Sequence, residues 1–159
     1  MAELARIRGQ LERVRALCGD GRLFDVNARV SRWSPAEHFD HLLRVTISVV
    51  DRLSSPESLP GKISLVGRTI LAIGWIPRGK GRAPERLAGK RTSHDVLQRA
   101  LEKVTAAVGA IDAAAVDAAR HRNVPHPRFG NLTPSEALRF TRVHNEHHLK
   151  IVRDILGVR

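Results

Sequence analysis

The chain contains few of the residues that mark secreted or membrane-spanning proteins. Its 159 residues include one cysteine, Cys18, so an internal disulfide cannot form. The most apolar stretch, residues 63–76, is 14 residues long and includes Arg68, whereas a membrane-spanning helix needs roughly 20 apolar residues. Residues 1–6 are charged and amphipathic, unlike the apolar run of a secretory signal. We therefore expect a cytoplasmic protein without a transmembrane helix.

Acidic and aromatic residues are also scarce. The chain has 16 Asp and Glu against 27 Lys and Arg, which gives a formal net charge of +11 and a surface that attracts anions. Its aromatic rings are four Phe and two Trp, which leaves few surfaces on which single-stranded bases could stack. No ring lies among the cations of the basic connector, residues 77–91: Arg78, Lys80, Arg82, Arg86, Lys90 and Arg91. We therefore keep one function as an alternative hypothesis. In it, the protein is a non-catalytic helical bundle that binds nucleic acid or another acidic partner through this connector.

Helical periodicity dominates the rest of the sequence. Apolar residues three and four positions apart predict four amphipathic helices, at residues 4–18, 34–53, 93–119 and 133–155. The second and the fourth begin with matching capping boxes, S-P-A-E and T-P-S-E, in which Pro occupies the first helical position. No segment has convincing strand alternation. We predict an all-α four-helix bundle that forms a single domain over residues 1–159.

A long connection, residues 54–91, separates the second predicted helix from the third. Connections of this length usually have structure of their own or serve a function. The first half is apolar and predicts a short helix at residues 65–73. The second half is the basic connector, which we expect to be a loop that could cover a site and offer cations to an anionic substrate.

Five of the eight histidines fall in two short windows of the second and fourth predicted helices. His144 and His148 are one helical turn apart, about 6 Å, on the inward apolar stripe, so both could bind one metal ion. His41 is the natural third ligand because it lies beside buried apolar residues of the second helix. Three imidazoles leave a coordination position open, as catalytic metal sites do. Without a metal, the same histidines would form a buried, hydrogen-bonded network.

Other polar residues near these windows have candidate roles. The candidates for proton transfer or for orienting the ligands are Asp40, Glu146 and His147, together with Asn145. His38 lies four positions after a helix cap, where a side chain packs on the residue before the cap, so we expect a structural contact with Trp33, with a position in the pocket lining as the alternative. His126 precedes Pro127, and both a turn role and a pocket role are open for it.

Three segments resemble a known family. Residues 33–42, WSPAEHFDHL, resemble the W-S-x-x-E-x-x-x-H-L signature of the DinB/YfiT-like superfamily, and residues 144–148, HNEHH, resemble its carboxyl-terminal H-x-x-x-H motif. Residues 126–134, HPRFGNLTP, followed by H-x-x-H-H, are similar to one branch of that superfamily. The resemblance covers nearly the whole chain, with its diagnostic positions in these three windows.

The resemblance implies a four-helix bundle that holds a divalent metal ion, commonly zinc or nickel, through three histidines. Matched position by position, His41 corresponds to the ligand of the second helix, and His144 and His148 correspond to the two ligands of the fourth. The superfamily includes thiol-dependent S-transferases and a mycothiol-dependent isomerase. We therefore expect a metal-dependent enzyme, a thiol S-transferase or a hydrolase, that acts on a small anionic or thiol-bearing substrate and can pair as a homodimer.

Overall fold

The computed structural model describes residues 2–55, 59–79 and 83–158. The ends of the predicted domain, Met1 and Arg159, and two cations of the basic connector, Lys80 and Arg82, lie outside the described residues. Within the described residues the chain is mostly helical, as predicted. The helices are α1 (Ala2–Leu17), α2 (Pro35–Ser54), α3 (Leu65–Ile73), α4 (His94–Gly109), α5 (Ala113–Ala118) and α6 (Pro134–Leu156).

Both predicted capping boxes are present and fix where α2 and α6 begin. The Ser34 hydroxyl accepts from the backbone N–H of Glu37 at 3.3 Å, and the Glu37 carboxylate accepts from the backbone N–H of Ser34 at 2.8 Å. Thr133 and Glu136 repeat this arrangement at the start of α6, with distances of 3.3 and 2.9 Å. Caps of this kind stabilise a helix by about 1 kcal/mol each. They set the register of the two helices that carry the histidine windows.

The four long helices surround a common apolar core. Helix α6 packs against α1 and α2, and α4 packs against the same two helices. Each helix buries its apolar stripe in this core because the stripe residues recur at the helical period. The largest fully buried side chains are Phe39, Leu4, Ile7, Leu11, Leu23, Leu42, Leu43, Leu97, Leu101, Leu132, Leu149 and Leu156. The contact between α2 and α6 places the two histidine windows face to face.

The third predicted helix is shorter than expected. It was predicted to reach residue 119, but α4 ends at Gly109 and a separate helix, α5, follows. The break has a local cause, because the Asp112 carboxylate accepts from the backbone N–H of Ala115 at 2.8 Å and caps a new helix. Periodicity alone does not reveal this cap, because alanines on both sides are compatible with one continuous helix.

The expectation that no strands would form is wrong for one short hairpin. Strand β1 (Val124–His126) pairs antiparallel with β2 (Gly130–Leu132), with Val124 opposite Leu132. Each strand has three residues, which is too short for alternation to stand out in the sequence. The hairpin leads directly into the cap of α6.

The long connection contains the short helix that the sequence predicts. Helix α3 spans Leu65–Ile73; the Ser64 hydroxyl caps its start, and Gly74, with a φ of 71°, ends it. After it, Glu85–Leu87 form one turn of 3-10 helix within the basic connector. None of the described helices combines the length and the apolar character that crossing a membrane requires.

Candidate metal centre

Three histidines meet where α2 faces α6. The Nε2 atoms of His41 and His144 are 3.0 Å apart. One ring nitrogen from each of His41, His144 and His148 lies within 4.8 Å of one ring nitrogen of the other two. All three side chains are buried, with 5–8% of their surface exposed. Nitrogens at this separation can bind one divalent ion, so the structure brings together the three residues that the sequence predicts as ligands.

Burial keeps this three-histidine cluster neutral. It lowers the pKa of His144 and of His148 well below the usual range, and the neighbouring histidines lower both values further. Burial also lowers the pKa of His41, although its hydrogen bond to the Leu87 carbonyl opposes the shift. Metals bind the neutral form of imidazole. The cluster is therefore in the protonation state that metal binding requires.

A backbone carbonyl fixes the tautomer of His41. Its Nδ1 atom lies 2.5 Å from the carbonyl oxygen of Leu87. Because a carbonyl can only accept a hydrogen bond, Nδ1 carries the proton and Nε2 presents its lone pair towards His144. This is the usual arrangement of a metal-binding histidine, whose other nitrogen donates to an outer acceptor. The donor set of the cluster thus fits a divalent metal ion.

A fourth histidine lies beside the cluster. The Nδ1 atom of His38 is 2.8 Å from Nδ1 of His148, and its Nε2 atom is 2.9 Å from the Ser31 hydroxyl. The predicted packing on Trp33 is confirmed, with ring centroids 5.3 Å apart. The contact with His148 was not predicted from the sequence. One feature of the sequence points towards this contact: His38 and His41 are three positions apart and therefore share a helix face.

Trp33 covers the cluster from the segment that precedes α2. Its ring meets the rings of His38 and His41 edge-on, each at 5.3 Å between centroids. It stacks over His148 at 6.4 Å with an interplanar angle of 20°. Trp33 thus packs against three imidazole rings, those of His38, His41 and His148. The sequence predicts a packing role for Trp33 beside the helix cap and no role at the cluster.

Part of the basic connector is bound to α2 next to the cluster. We call residues 83–91 the strap. Two backbone groups of the strap bind side chains of α2. The Leu87 carbonyl contacts His41, and the backbone N–H of Lys90 donates to the Asp40 carboxylate at 2.9 Å. A Cβ atom added at Gly89 would lie 2.1 Å from the carbonyl oxygen of Glu37. The strap therefore approaches α2 at a distance that only glycine permits at position 89.

The three titratable candidates for proton transfer lie in different surroundings. Asp40 is engaged with the strap and with Arg44, whose Nε atom donates to it at 2.7 Å. Glu146 faces α1 and pairs with Arg13 at 2.7 Å. The ring of His147 meets that of His148 edge-on at 5.1 Å. Of the three, His147 therefore has its ring against the cluster, while the two carboxylates have ion-pair partners.

His147 also lines a small cavity on the flank of α6. The cavity has a volume of about 60 Å³, and its lining includes Trp75, Arg78, Glu146 and Lys150. Burial lowers the pKa of His147, and the positive charge of Arg78 lowers it further. The start of the basic connector thus brings one cation, Arg78, to the edge of the histidine region, and α6 contributes a second, Lys150.

His126 has a turn role in the hairpin that precedes α6. Its Nδ1 atom accepts from the backbone N–H groups of Arg128 and Phe129 at 3.2 and 3.1 Å. Its ring stacks on Phe129 with centroids 4.2 Å apart. Of the two roles that the sequence left open for His126, these contacts favour the turn.

Comparison with known proteins identifies the family. Neither the curated proteins nor the solved structures contain a match to this sequence. A family model, that of the DinB superfamily, matches residues 3–152. The match includes α2 and nearly all of α6, and with them the whole three-histidine cluster. Because the match spans most of the chain and agrees with the resemblance of the three sequence windows, this chain belongs to the DinB superfamily.

Proposed function

We propose that the protein is a divalent-metal-dependent enzyme whose ion is held by His41, His144 and His148. The observation that carries this proposal is the convergence of three buried, neutral imidazoles across the contact between α2 and α6. The fixed tautomer of His41 supports it, because its Nε2 lone pair is turned towards the other two rings. A zinc or nickel ion held there would supply a Lewis acid that lowers the pKa of a water or thiol beside it.

The surrounding residues suggest how a substrate would be handled. His147 is the candidate for moving a proton, because its ring borders the cluster and also reaches a small cavity. Arg78 and Lys150 line the same cavity and would attract a carboxylate or phosphate group. Asp40 would act by fixing the strap. The cations of the cavity favour a small anionic substrate. The family resemblance adds thiol-bearing molecules as substrates and implies a thiol S-transfer, and we keep hydrolysis as the other candidate reaction.

The proposal includes the remaining expectations from the sequence. The helices α1, α2, α4 and α6 would act as a four-helix bundle in a single domain, with the connector as a cover for the site. The protein would work in the cytoplasm and could pair as a homodimer. Zinc and nickel are the leading ions because the family resemblance implies them, and imidazole nitrogen suits both.

The test is whether a metal in this site has an open coordination position. The protein is loaded with one equivalent of Co²⁺, whose visible absorption reports its coordination, and then titrated with azide and with 2-mercaptoethanol. We expect both probes to change the absorption bands, because three protein ligands leave room for an exogenous one. His94→Ala, at an exposed site on α4, should respond like the wild type, and His144→Ala should lose most of the Co²⁺ signal.

A different result would argue against the enzyme hypothesis. If neither azide nor 2-mercaptoethanol changes the visible absorption of bound Co²⁺, the site has no open coordination position and is structural. The alternative function, binding of an acidic partner through the connector, predicts binding to duplex DNA or heparin that weakens steeply with salt and does not respond to chelators.

A further inference from the structure

We infer that His38 is a positioning residue that fixes which nitrogen of His148 faces the metal. The inference rests on the proposed metal site and concerns a residue outside the set of three ligands. Its basis is the 2.8 Å contact between the Nδ1 atoms of His38 and His148. Because that contact occupies Nδ1 of His148, the nitrogen left for an ion is Nε2.

The hydrogen bonds around His38 form a chain with one consistent set of proton positions. A histidine that gives one nitrogen to an ion carries its proton on the other, so Nδ1–H of His148 donates to Nδ1 of His38. The remaining nitrogen of His38, Nε2, then carries a proton and donates to the Ser31 hydroxyl at 2.9 Å. That hydroxyl oxygen also accepts from the backbone N–H of Trp33 at 3.0 Å. A hydroxyl oxygen has two lone pairs, so it can accept both bonds.

The arrangement at His148 parallels the one at His41. In both, the Nδ1 atom meets an outer partner: the Leu87 carbonyl for His41 and the His38 ring for His148. Trp33 packs against both His38 and His148, which restricts rotation of the two rings. The two ligands from different helices are thus held by different elements, the strap and the first turns of α2.

His38 does not itself join the set of ligands. Among the described residues, the group whose ring nitrogens all lie within 4.8 Å of one another comprises His41, His144 and His148. His38 contacts one member of that group and turns its other nitrogen towards Ser31, away from the cluster. His38 therefore lies behind the ligand His148 and does not bind the ion itself.

Two amide variants separate the two contacts of His38. In His38→Asn, the side-chain oxygen can take the place of Nδ1 and accept from His148, while the contact with Ser31 is lost. In His38→Gln, the side-chain nitrogen can take the place of Nε2 and donate to Ser31, while the contact with His148 is lost. Both variants place an amide at the same buried position, so each is a control for the effect that burying an amide has in the other.

The measurement is the affinity for Zn²⁺, determined by competition with a chromophoric chelator, together with the visible spectrum of the Co²⁺-loaded protein. We expect His38→Gln to bind Zn²⁺ about 10 to 100 times more weakly than the wild type, the usual effect of losing such an outer partner. His38→Asn should restore most of that affinity and a Co²⁺ spectrum like that of the wild type. Circular dichroism verifies that both variants are folded.

Two results would overturn the inference. Equal losses in His38→Asn and His38→Gln would show that the imidazole has a general structural role. X-ray absorption that counts four imidazoles on Co²⁺ in the wild type, and three in His38→Asn, would make His38 a ligand. Both results leave the metal site itself intact, whereas a wild-type protein that binds no metal would contradict the proposed function first.

Discussion

The Nδ1 atom of His41 donates a hydrogen bond to the carbonyl oxygen of Leu87 at 2.5 Å, although 46 positions separate the two residues in sequence. This bond joins a predicted metal ligand on α2 directly to the strap. It has two consequences, because it fixes the tautomer of His41 and holds the strap against α2 next to the cluster. The strap and the three-histidine cluster are therefore joined directly through His41.

We predict that Asp40→Ala loosens the strap without removing the metal. The variant loses the bond from the backbone N–H of Lys90 and the ion pair with Arg44. A hydrogen bond to a charged group is worth about 1.5–3 kcal/mol, and its loss favours opening of the segment. Hydrogen exchange should become faster at residues 87–91, with metal content per chain as in the wild type.

The matched control for this variant is Asp154→Ala. It also removes a carboxylate with an arginine partner, Arg78, but at an exposed site away from the strap. Exchange at residues 87–91 should not change in the control. Equal exchange in all three proteins would mean that the Asp40 contact does not hold the strap.

We predict opposite effects from alanine at two glycines. A Cβ at Gly89 would meet the Glu37 carbonyl at 2.1 Å, so Gly89→Ala must displace the strap from α2. A Cβ at Gly9, inside α1, meets no atom within 4 Å, so Gly9→Ala should gain helix propensity, about 0.5–1 kcal/mol. Urea unfolding should give a lower free energy of unfolding for Gly89→Ala and a higher one for Gly9→Ala. Unfolding midpoints that rise together would contradict the close approach of the strap.

We predict that His126 contributes to the acid sensitivity of the fold. Burial lowers its pKa from 6.5 to about 4, with a smaller contribution from Arg128. Because the folded-state pKa is depressed, the contribution to stability is complete above pH 6.5 and is lost as the pH falls from 6.5 towards 4. Protonation of Nδ1 would also break its two bonds from backbone N–H groups.

The variant His126→Asn tests the direction of this pH dependence of stability. The Asn side-chain oxygen can accept from the same backbone groups but does not titrate. Urea unfolding at several pH values between 7 and 4 should give a free energy of unfolding that falls less steeply in the variant than in the wild type. A steeper fall in the variant, or parallel curves, would contradict the prediction.

The parts of the site that could be predicted from sequence are those set by local geometry. Capping boxes determine where α2 and α6 begin, and the helical period then puts His144 and His148 on one face. The same reasoning places His41 on the buried face of α2. The bounds of α3 were predictable for the same reason, because Ser64 and Gly74 mark its two ends.

The parts that could not be predicted depend on how distant elements meet. The contact between His38 and His148 depends on the rotation of α2 relative to α6, which no local pattern encodes. The bonds from the strap use backbone atoms of Leu87 and Lys90, and side-chain patterns carry no information about them. The break at Asp112 was missed because a cap within an alanine-rich stretch competes only weakly with helix propensity.

The most direct test of the account is the metal content of the protein purified without an affinity tag or chelator. Elemental analysis compares the wild type, His144→Ala/His148→Ala and the control His94→Ala/His121→Ala, which removes two exposed histidines. The account predicts about one zinc or nickel ion per chain in the wild type and in the control, and none in the first double variant. Equal metal in all three proteins, or a folded wild type that takes up no metal after loading, would contradict it.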